Sequence, residues 1–139
     1  MKRVLIPASI ILIATAALAF AAASRSVRDG VFTKDQATRG QNLYNEECGK
    51  CHGQNLGGGE GAPALAGAEF MQKWSGKPVN ALFELTRTTM PADDPGHLSR
   101  RQVADLVALM LSANDLPSGT KELESSAESL TDIRIEGRK

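Results

Sequence analysis

Apolar residues recur at helical spacing along most of the chain, and polar, Gly-rich or Pro-rich segments separate the apolar stretches. The clearest stretch lies towards the C-terminus, where four apolar residues follow the i, i+3, i+4, i+7 pattern of one helix face: Val103, Leu106, Val107 and Met110. After the N-terminal segment, no stretch shows the alternation of apolar and polar residues that is typical of a half-buried strand. The pattern predicts an all-α fold.

The first predicted helix begins after Thr33, because Thr33 and Gln36 have the T-x-x-Q spacing of a capping box. It runs towards Glu47. Residues three or four positions apart share a helix face, and this spacing joins Ala37, Gly40, Tyr44 and Cys48. We expect this face to place Cys48 at the core.

The last predicted helix begins at Ser99, where Gln102 completes a second capping box, and it ends near Asn114, before Pro117. Because Gly40 of the first helix has no side chain, the apolar face of the last helix is expected to cross it closely there. The two helices are expected to brace the centre of the domain.

Two short helices are predicted between these, over Glu69–Trp74 and Val79–Thr88, with Gly76 and Pro78 separating them. In the second short helix three residues are expected to form the inner face: Leu82, Leu85 and Thr86.

The N-terminal segment has the features of a secretory signal peptide over residues 1–23. Lys2 and Arg3 precede an apolar run from Val4 to Phe20, and small residues follow at 21–23. Cleavage after Ala21 and cleavage after residue 23 both fit the small-x-small pattern. The segment predicts export to the periplasm, and an uncleaved anchor that holds the protein on the membrane is the alternative.

Without this segment the 139-residue chain supports one small domain and leaves no room for a separate catalytic domain. We expect a short linker over 24–32, the domain over 33–114 and a C-terminal extension over 115–139. The 16 basic and 16 acidic residues of the full chain balance, so the chain lacks the excess of basic residues that is typical of a nucleic-acid-binding protein. Aromatic residues make up only 4% of the chain, so a large apolar cofactor would help to fill its centre.

The chemistry is concentrated in Cys48–His52, which reads C-x-x-C-H, the signature of covalent c-type haem attachment. Each cysteine can form a thioether to one haem vinyl group, and the histidine can bind the iron as the proximal ligand. A redox-active disulfide is an alternative, although no strand-like pattern precedes Cys48. A zinc site is another, and it would need both cysteines together with His52 and His97, the chain's other histidine.

A glycine-rich segment, Gly53–Gly61, follows the motif and is predicted to be a loop. Its glycines would let the backbone wrap closely around a bulky cofactor. A flexible surface linker is the alternative interpretation.

Four residues are candidates for a second axial ligand. Met110 belongs to the apolar stripe of the last helix and Met71 lies in a short helix, so packing explains both. His97 lies in a turn-like Asp-Pro-Gly-His segment and is the bis-histidine alternative. Met90 is favoured, because Pro91 restricts it to extended backbone and so helps to hold its side chain out from a loop.

Together with the haem motif, several features make the chain resemble a class I c-type cytochrome from Thr33 to about Asn114. They are Gly40-x-x-x-Tyr44, Cys48-x-x-Cys51-His52-Gly53, Pro63-x-Leu65, Trp74, Thr89-Met90-Pro91 and the final helix. One departure is Leu109, where many relatives have an aromatic residue, and it weakens the packing expected against Gly40.

The resemblance implies a site for one covalent haem c with iron. It implies thioethers at Cys48 and Cys51, proximal ligation by His52 and distal ligation by the Met90 sulfur. It also implies that the Pro63 carbonyl accepts a hydrogen bond from the proximal imidazole. Two further pocket residues are expected on the same basis: Leu65, packed on the haem, and Trp74, with its indole N–H directed towards a propionate.

The predicted function is one-electron transfer between redox proteins, without catalysis. Residues 116–123 resemble the tails of cytochromes that serve periplasmic quinoprotein dehydrogenases, which suggests such an enzyme as electron donor and an oxidase or another cytochrome as acceptor. A solvated extension is the alternative for this segment. A haem enzyme or a sensor of peroxide or a diatomic gas, with an open distal position, is the alternative function.

Overall fold

The computed structural model of the chain describes residues 24–59 and 61–137, so the predicted signal peptide lies outside the described residues. Five helices carry the fold: α1 (Lys34–Glu47), α2 (Gly49–His52), α3 (Ala68–Trp74), α4 (Val79–Thr89) and α5 (Arg100–Ala113). Two strands of two residues each, β1 (Arg25–Ser26) and β2 (Ile133–Arg134), pair in parallel. The all-α prediction is confirmed. Within 24–59 and 61–137, no helix has the length and apolar character needed to cross a membrane.

Helices α1 and α5 form the central crossing of the fold. At Gly40 a methyl group would collide with the backbone carbonyl of Asp105 and would lie 3.0 Å from the Leu109 Cβ atom. Helix α5 is buried from Val103 to Leu111. The predicted close crossing at Gly40 is therefore present, and Leu109 lies at the contact.

The two predicted capping boxes have different outcomes. At α5 both reciprocal hydrogen bonds between Ser99 and Gln102 are present. At α1 the Thr33 hydroxyl accepts a hydrogen bond from the Gln36 backbone N–H, but the Gln36 side chain does not complete the box. Its amide turns inward and pairs with the backbone of Leu123.

Helix α4 buries a different face from the predicted one. Leu82 and Thr86 are buried as expected, together with Val79 and Phe83. Leu85 is 43% exposed, so its assignment to the inner face is wrong. Because each residue advances a helix by about 100°, the buried arc is centred between Leu82 and Phe83, and Leu85 falls outside it. Packing selects the phenylalanine side of the helix.

Both chain segments that flank 33–114 pack into the core. Val27 and Phe32 are buried ahead of α1, and Leu130 and Ile135 are buried after α5. The Gly119 N–H donates to the Phe32 carbonyl at 2.7 Å, and strand β2 pairs with strand β1. Both flanking segments are therefore packed against the domain.

An ion network ties the last segment to the helix crossing. Arg39 on α1 donates to both carboxylate oxygens of Asp105 on α5, at 3.1 and 2.9 Å, and to Glu122 at 2.8 Å. The side chain of Asp105 is buried, and these carboxylates raise the pKa of Arg39 above its usual range. The network joins α1, α5 and the C-terminal segment at one point.

Candidate haem site

The C-x-x-C-H motif forms a single helical turn at the end of α1. The Cys48 N–H donates to the Tyr44 carbonyl at 2.9 Å, and the Cys48 carbonyl accepts from the N–H groups of Cys51 and His52 at 3.1 and 3.0 Å. Cys48 is half-buried against the core, Cys51 is exposed and His52 is buried. The turn holds the two sulfur atoms and the imidazole on one rigid support.

The imidazole of His52 is 8% exposed, and its Nδ1 atom lies 2.8 Å from the Pro63 carbonyl oxygen. A carbonyl oxygen can only accept a hydrogen bond, so Nδ1 carries the proton. In the neutral ring Nε2 then has a free lone pair, which is the arrangement that a metal-ligating histidine requires. The donor set therefore fits a haem iron.

The surroundings of Cys48 favour the neutral form of its thiol. Burial raises the pKa of its thiol to about 11, and the negative charges of Glu47 and Cys51 act in the same direction. Cysteines that exchange disulfides readily have lowered pKa values. The environment of Cys48 is therefore opposite to that of a redox-active disulfide.

The glycine loop after the motif folds back onto α2. The Gly58 N–H donates to the His52 carbonyl at 2.8 Å. A methyl group on Gly53 would lie 2.8 Å from the Gly58 carbonyl, and one on Gly59 would lie 2.6 Å from the Cys51 carbonyl. These glycines thus allow close backbone contact with the motif itself.

Tyr44 supports the same loop from α1. Its hydroxyl donates to the Gly53 carbonyl at 2.6 Å, and its side chain is almost completely buried. Burial raises the pKa of the phenol, so the Tyr44 hydroxyl remains a hydrogen-bond donor across the physiological pH range. Tyr44, one turn before Cys48 on α1, therefore helps to fix the position of Gly53.

The predicted pocket residues Pro63 and Leu65 follow the loop. The N–H groups of Leu65 and Ala66 both donate to the Leu56 carbonyl, at 2.8 and 3.2 Å. Leu65 is half-buried and packs against the core. The Leu65 carbonyl accepts from the side-chain amide of Asn114 at the end of α5, a contact that the sequence pattern does not reveal.

Met90 lies at the C-terminal end of α4. Its N–H donates to the Thr86 carbonyl at 3.1 Å, and its backbone is extended, as the following proline requires. The side chain is half-buried. The loop after it reaches the end of α1 through His97, whose Nε2 atom lies 3.5 Å from the Glu47 carboxylate.

The other ligand candidates have structural surroundings of their own. Met110 is buried in α5, and Met71 is half-buried against the core. His97 is held by the carbonyl of Asp94 at 3.0 Å. Packing and local hydrogen bonds account for these three residues.

Trp74 is a core residue, 6% exposed, with its ring centroid 6.2 Å from that of Phe70. The ammonium groups of Lys73 and Lys77 lie 5.6 and 5.3 Å from the indole centroid, in cation–π range. The contact of the Trp74 indole N–H with a haem propionate stays a prediction.

The fold and this site define a class I c-type cytochrome. A family model described as cytochrome c oxidase, cbb3-type, subunit III matches residues 35–110, more than half of the chain. The chain belongs to this family. Its cofactor is therefore covalently bound haem c with iron, and its class is that of electron-transfer proteins.

The fold resembles that of a chain in the crystal structure of the sulfane dehydrogenase SoxCD from Paracoccus pantotrophus, with a TM-score of 0.57 at 20% sequence identity. The match covers 70% of this chain and 52% of that chain, so this chain spans about half the length of the SoxCD chain. At this identity the likeness shows the fold alone. A comparison with curated proteins found no match.

Proposed function

We propose that the protein is an exported mono-haem cytochrome that carries one electron at a time between redox proteins in the periplasm. The observation that carries the proposal is the hydrogen bond from His52 to the Pro63 carbonyl, on a helical turn that also holds Cys48 and Cys51. It leaves Nε2 of a buried imidazole free for iron, beside two thiols at the spacing of haem attachment.

The residues of the motif have separate roles in this proposal. Cys48 and Cys51 attach the two vinyl groups, and His52 is the proximal ligand. The Pro63 carbonyl orients the imidazole and increases its electron donation. Leu65 packs on the macrocycle, and Trp74 directs its N–H towards a propionate.

Met90 is the proposed distal ligand. The extended backbone before Pro91 lets the Met90 side chain project from the end of α4. The residue is half-buried, as a sulfur ligand of a partly enclosed haem would be. Bound haem iron supplies the one-electron couple between its ferric and ferrous states. His52 and Met90 would hold the iron between them, and a methionine sulfur would favour its ferrous state, so that electron transfer would be favoured over ligand activation.

The proposed partners are proteins that hold redox centres of their own. A quinoprotein dehydrogenase is the proposed electron donor and an oxidase or another cytochrome the acceptor. The basis for this donor is the resemblance of residues 116–123 to the tails of cytochromes that serve such enzymes. We expect brief contacts through a small interface, as is typical of redox encounters.

Residues 1–23 are proposed to direct export, and they separate from the mature protein on cleavage. Retention of this segment would anchor the same domain to the membrane, facing the periplasm. Mass spectrometry of the protein matured in a periplasm distinguishes the two forms, and it also measures the mass added by covalent haem.

The absorption spectrum of the matured protein tests the ligand set. Covalent haem together with a far-red sulfur-to-iron band in the ferric form supports His52 and Met90 as axial ligands. Covalent haem without that band contradicts Met90 and favours an open or bis-histidine site. Absence of covalent haem contradicts the proposal as a whole.

A further inference from the structure

We infer that Asn114 is a positioning residue for the axial imidazole, because its side-chain amide holds the backbone segment that presents the Pro63 carbonyl to His52. The inference rests on the proposed function of His52 as the iron ligand. It adds a residue that lies outside the haem motif and far from it in sequence.

The amide of Asn114 makes three hydrogen bonds, all to backbone groups. Its Nδ2 atom donates to the Leu65 carbonyl at 3.1 Å and to the Met110 carbonyl at 2.7 Å. Its Oδ1 atom accepts from the Gly67 N–H at 2.9 Å. One bond joins the side chain to its own helix, and the other two hold the segment that follows Pro63.

This segment has few other supports among the hydrogen bonds of the described residues. The N–H groups of Leu65 and Ala66 converge on one acceptor, the Leu56 carbonyl. Leu56 belongs to the glycine loop, has a φ of 59° and is itself buried in the core. Asn114 is the side chain that ties Leu65 and Gly67 to α5, the helix that is buried along most of its length.

The position of the Pro63 carbonyl affects the iron through the imidazole. A short hydrogen bond from Nδ1 makes the ring more electron-rich and stabilises ferric iron, while a longer one favours ferrous iron. Loss of a residue that orients a metal ligand directly changes affinity or activity by roughly 10- to 100-fold. Because Asn114 acts one step further away, we expect its loss to raise the ferrous-to-ferric ratio by about 3- to 10-fold at a fixed solution potential.

The experiment compares holoproteins with wild-type, Asn114→Ala and Asn114→Ser sequences. A serine hydroxyl can still donate to the carbonyl four residues earlier, at Met110, but it is too short to hold Leu65 and Gly67. The serine variant thus preserves the end of α5 and removes only the proposed positioning. Redox titration and the NMR resonance of the His52 Nδ1 proton are the readouts.

Gln36→Ala is the matched control. It also removes a side-chain amide that makes two hydrogen bonds to backbone, but these bonds go to Leu123. We expect it to lower stability and to leave the potential and the Nδ1 resonance unchanged. Both Asn114 variants are expected to shift both readouts.

Wild-type values in both Asn114 variants, or an equal shift in Gln36→Ala, would overturn the inference. In each of those outcomes a far-red sulfur-to-iron band in the wild-type protein leaves the proposed function intact. Wild-type protein without covalent haem overturns the proposed function itself, so the two failures can be told apart.

Discussion

The side-chain amide of Gln36 pairs with both backbone groups of Leu123. Its Nε2 atom donates to the Leu123 carbonyl at 3.0 Å, and its Oε1 atom accepts from the Leu123 N–H at 2.7 Å. Both bonds are buried. The pair joins the first turn of α1 to a segment 87 residues later, so it makes the C-terminal segment part of the folded unit.

Replacement of Gln36 by alanine is expected to lower the free energy of unfolding by about 2 kcal/mol, because two buried backbone groups lose their partner. Denaturant titration of the holoprotein measures the change. Gln41→Ala is the control, since Gln41 on the same helix bonds to Asn45 at the surface. The control is expected to cost less than about 0.5 kcal/mol. Equal losses in the two variants would contradict the role of the Gln36–Leu123 pair.

Replacement of Gly40 by alanine is expected to separate α1 from α5 and to lower the free energy of unfolding by about 2 kcal/mol. The added methyl group meets the Asp105 backbone, which cannot move aside as a flexible side chain could. The gain of about 1 kcal/mol in helix propensity offsets part of the larger packing cost. Thermal unfolding measures the result, with Asn42→Ala on the exposed face of α1 as control. A Gly40 variant at least as stable as the wild type would rule out a tight crossing.

His97 is expected to give the protein a pH-dependent stability. The hydrogen bond to the Asp94 carbonyl, with the charges of Glu47 and Asp94, raises the pKa of His97 above 6.5. A raised folded-state pKa contributes stability that is complete below the unfolded value and is lost as the pH rises through the folded value. The contribution should therefore disappear above neutral pH.

The test compares the wild type with His97→Gln in denaturant titrations at about pH 5.5 and about pH 8.5. The stability difference between them is expected to be larger at the lower pH. Glu47→Gln is expected to reduce the pH dependence without removing it, because the Asp94 contacts remain. A difference that is the same at both pH values would show that the charge on His97 has no role.

Replacement of Met90 by alanine is expected to open the distal position of the haem. The far-red band should disappear, the reduction potential should fall, and cyanide or carbon monoxide should bind at least about tenfold more tightly than to the wild type. Met71→Ala is the matched control, because packing against the core accounts for the Met71 side chain. Ligand binding that is equally fast in the wild type and the Met90 variant would favour the haem enzyme or sensor.

Local signals in the sequence were sufficient for much of the fold. The hydroxyls of Thr33 and Ser99 mark the starts of α1 and α5, and Asn114 caps α5 as expected. Such signals act over three or four residues and do not depend on distant partners. The two short helices before Met90 are present within one residue of their predicted ends.

Other features depend on contacts between distant residues. Gln36 has the spacing of a capping box, yet a backbone segment near Leu123 competes for its amide and binds it. Leu85 has the hydropathy of a core residue, but Phe83 takes the inward position on α4. Neither choice follows from the residues of one helix.

The C-x-x-C-H motif, the all-α class and the helix boundaries follow from short stretches of the chain, because covalent spacing and local hydrogen bonding are properties of neighbouring residues. The contact of Pro63 with His52, the bonds of Asn114 and the packing of the two flanking segments depend on long-range packing. Those contacts join groups that lie far apart in the chain. Each group could bond to several partners, and the packing of the helices and loops determines which partner it meets.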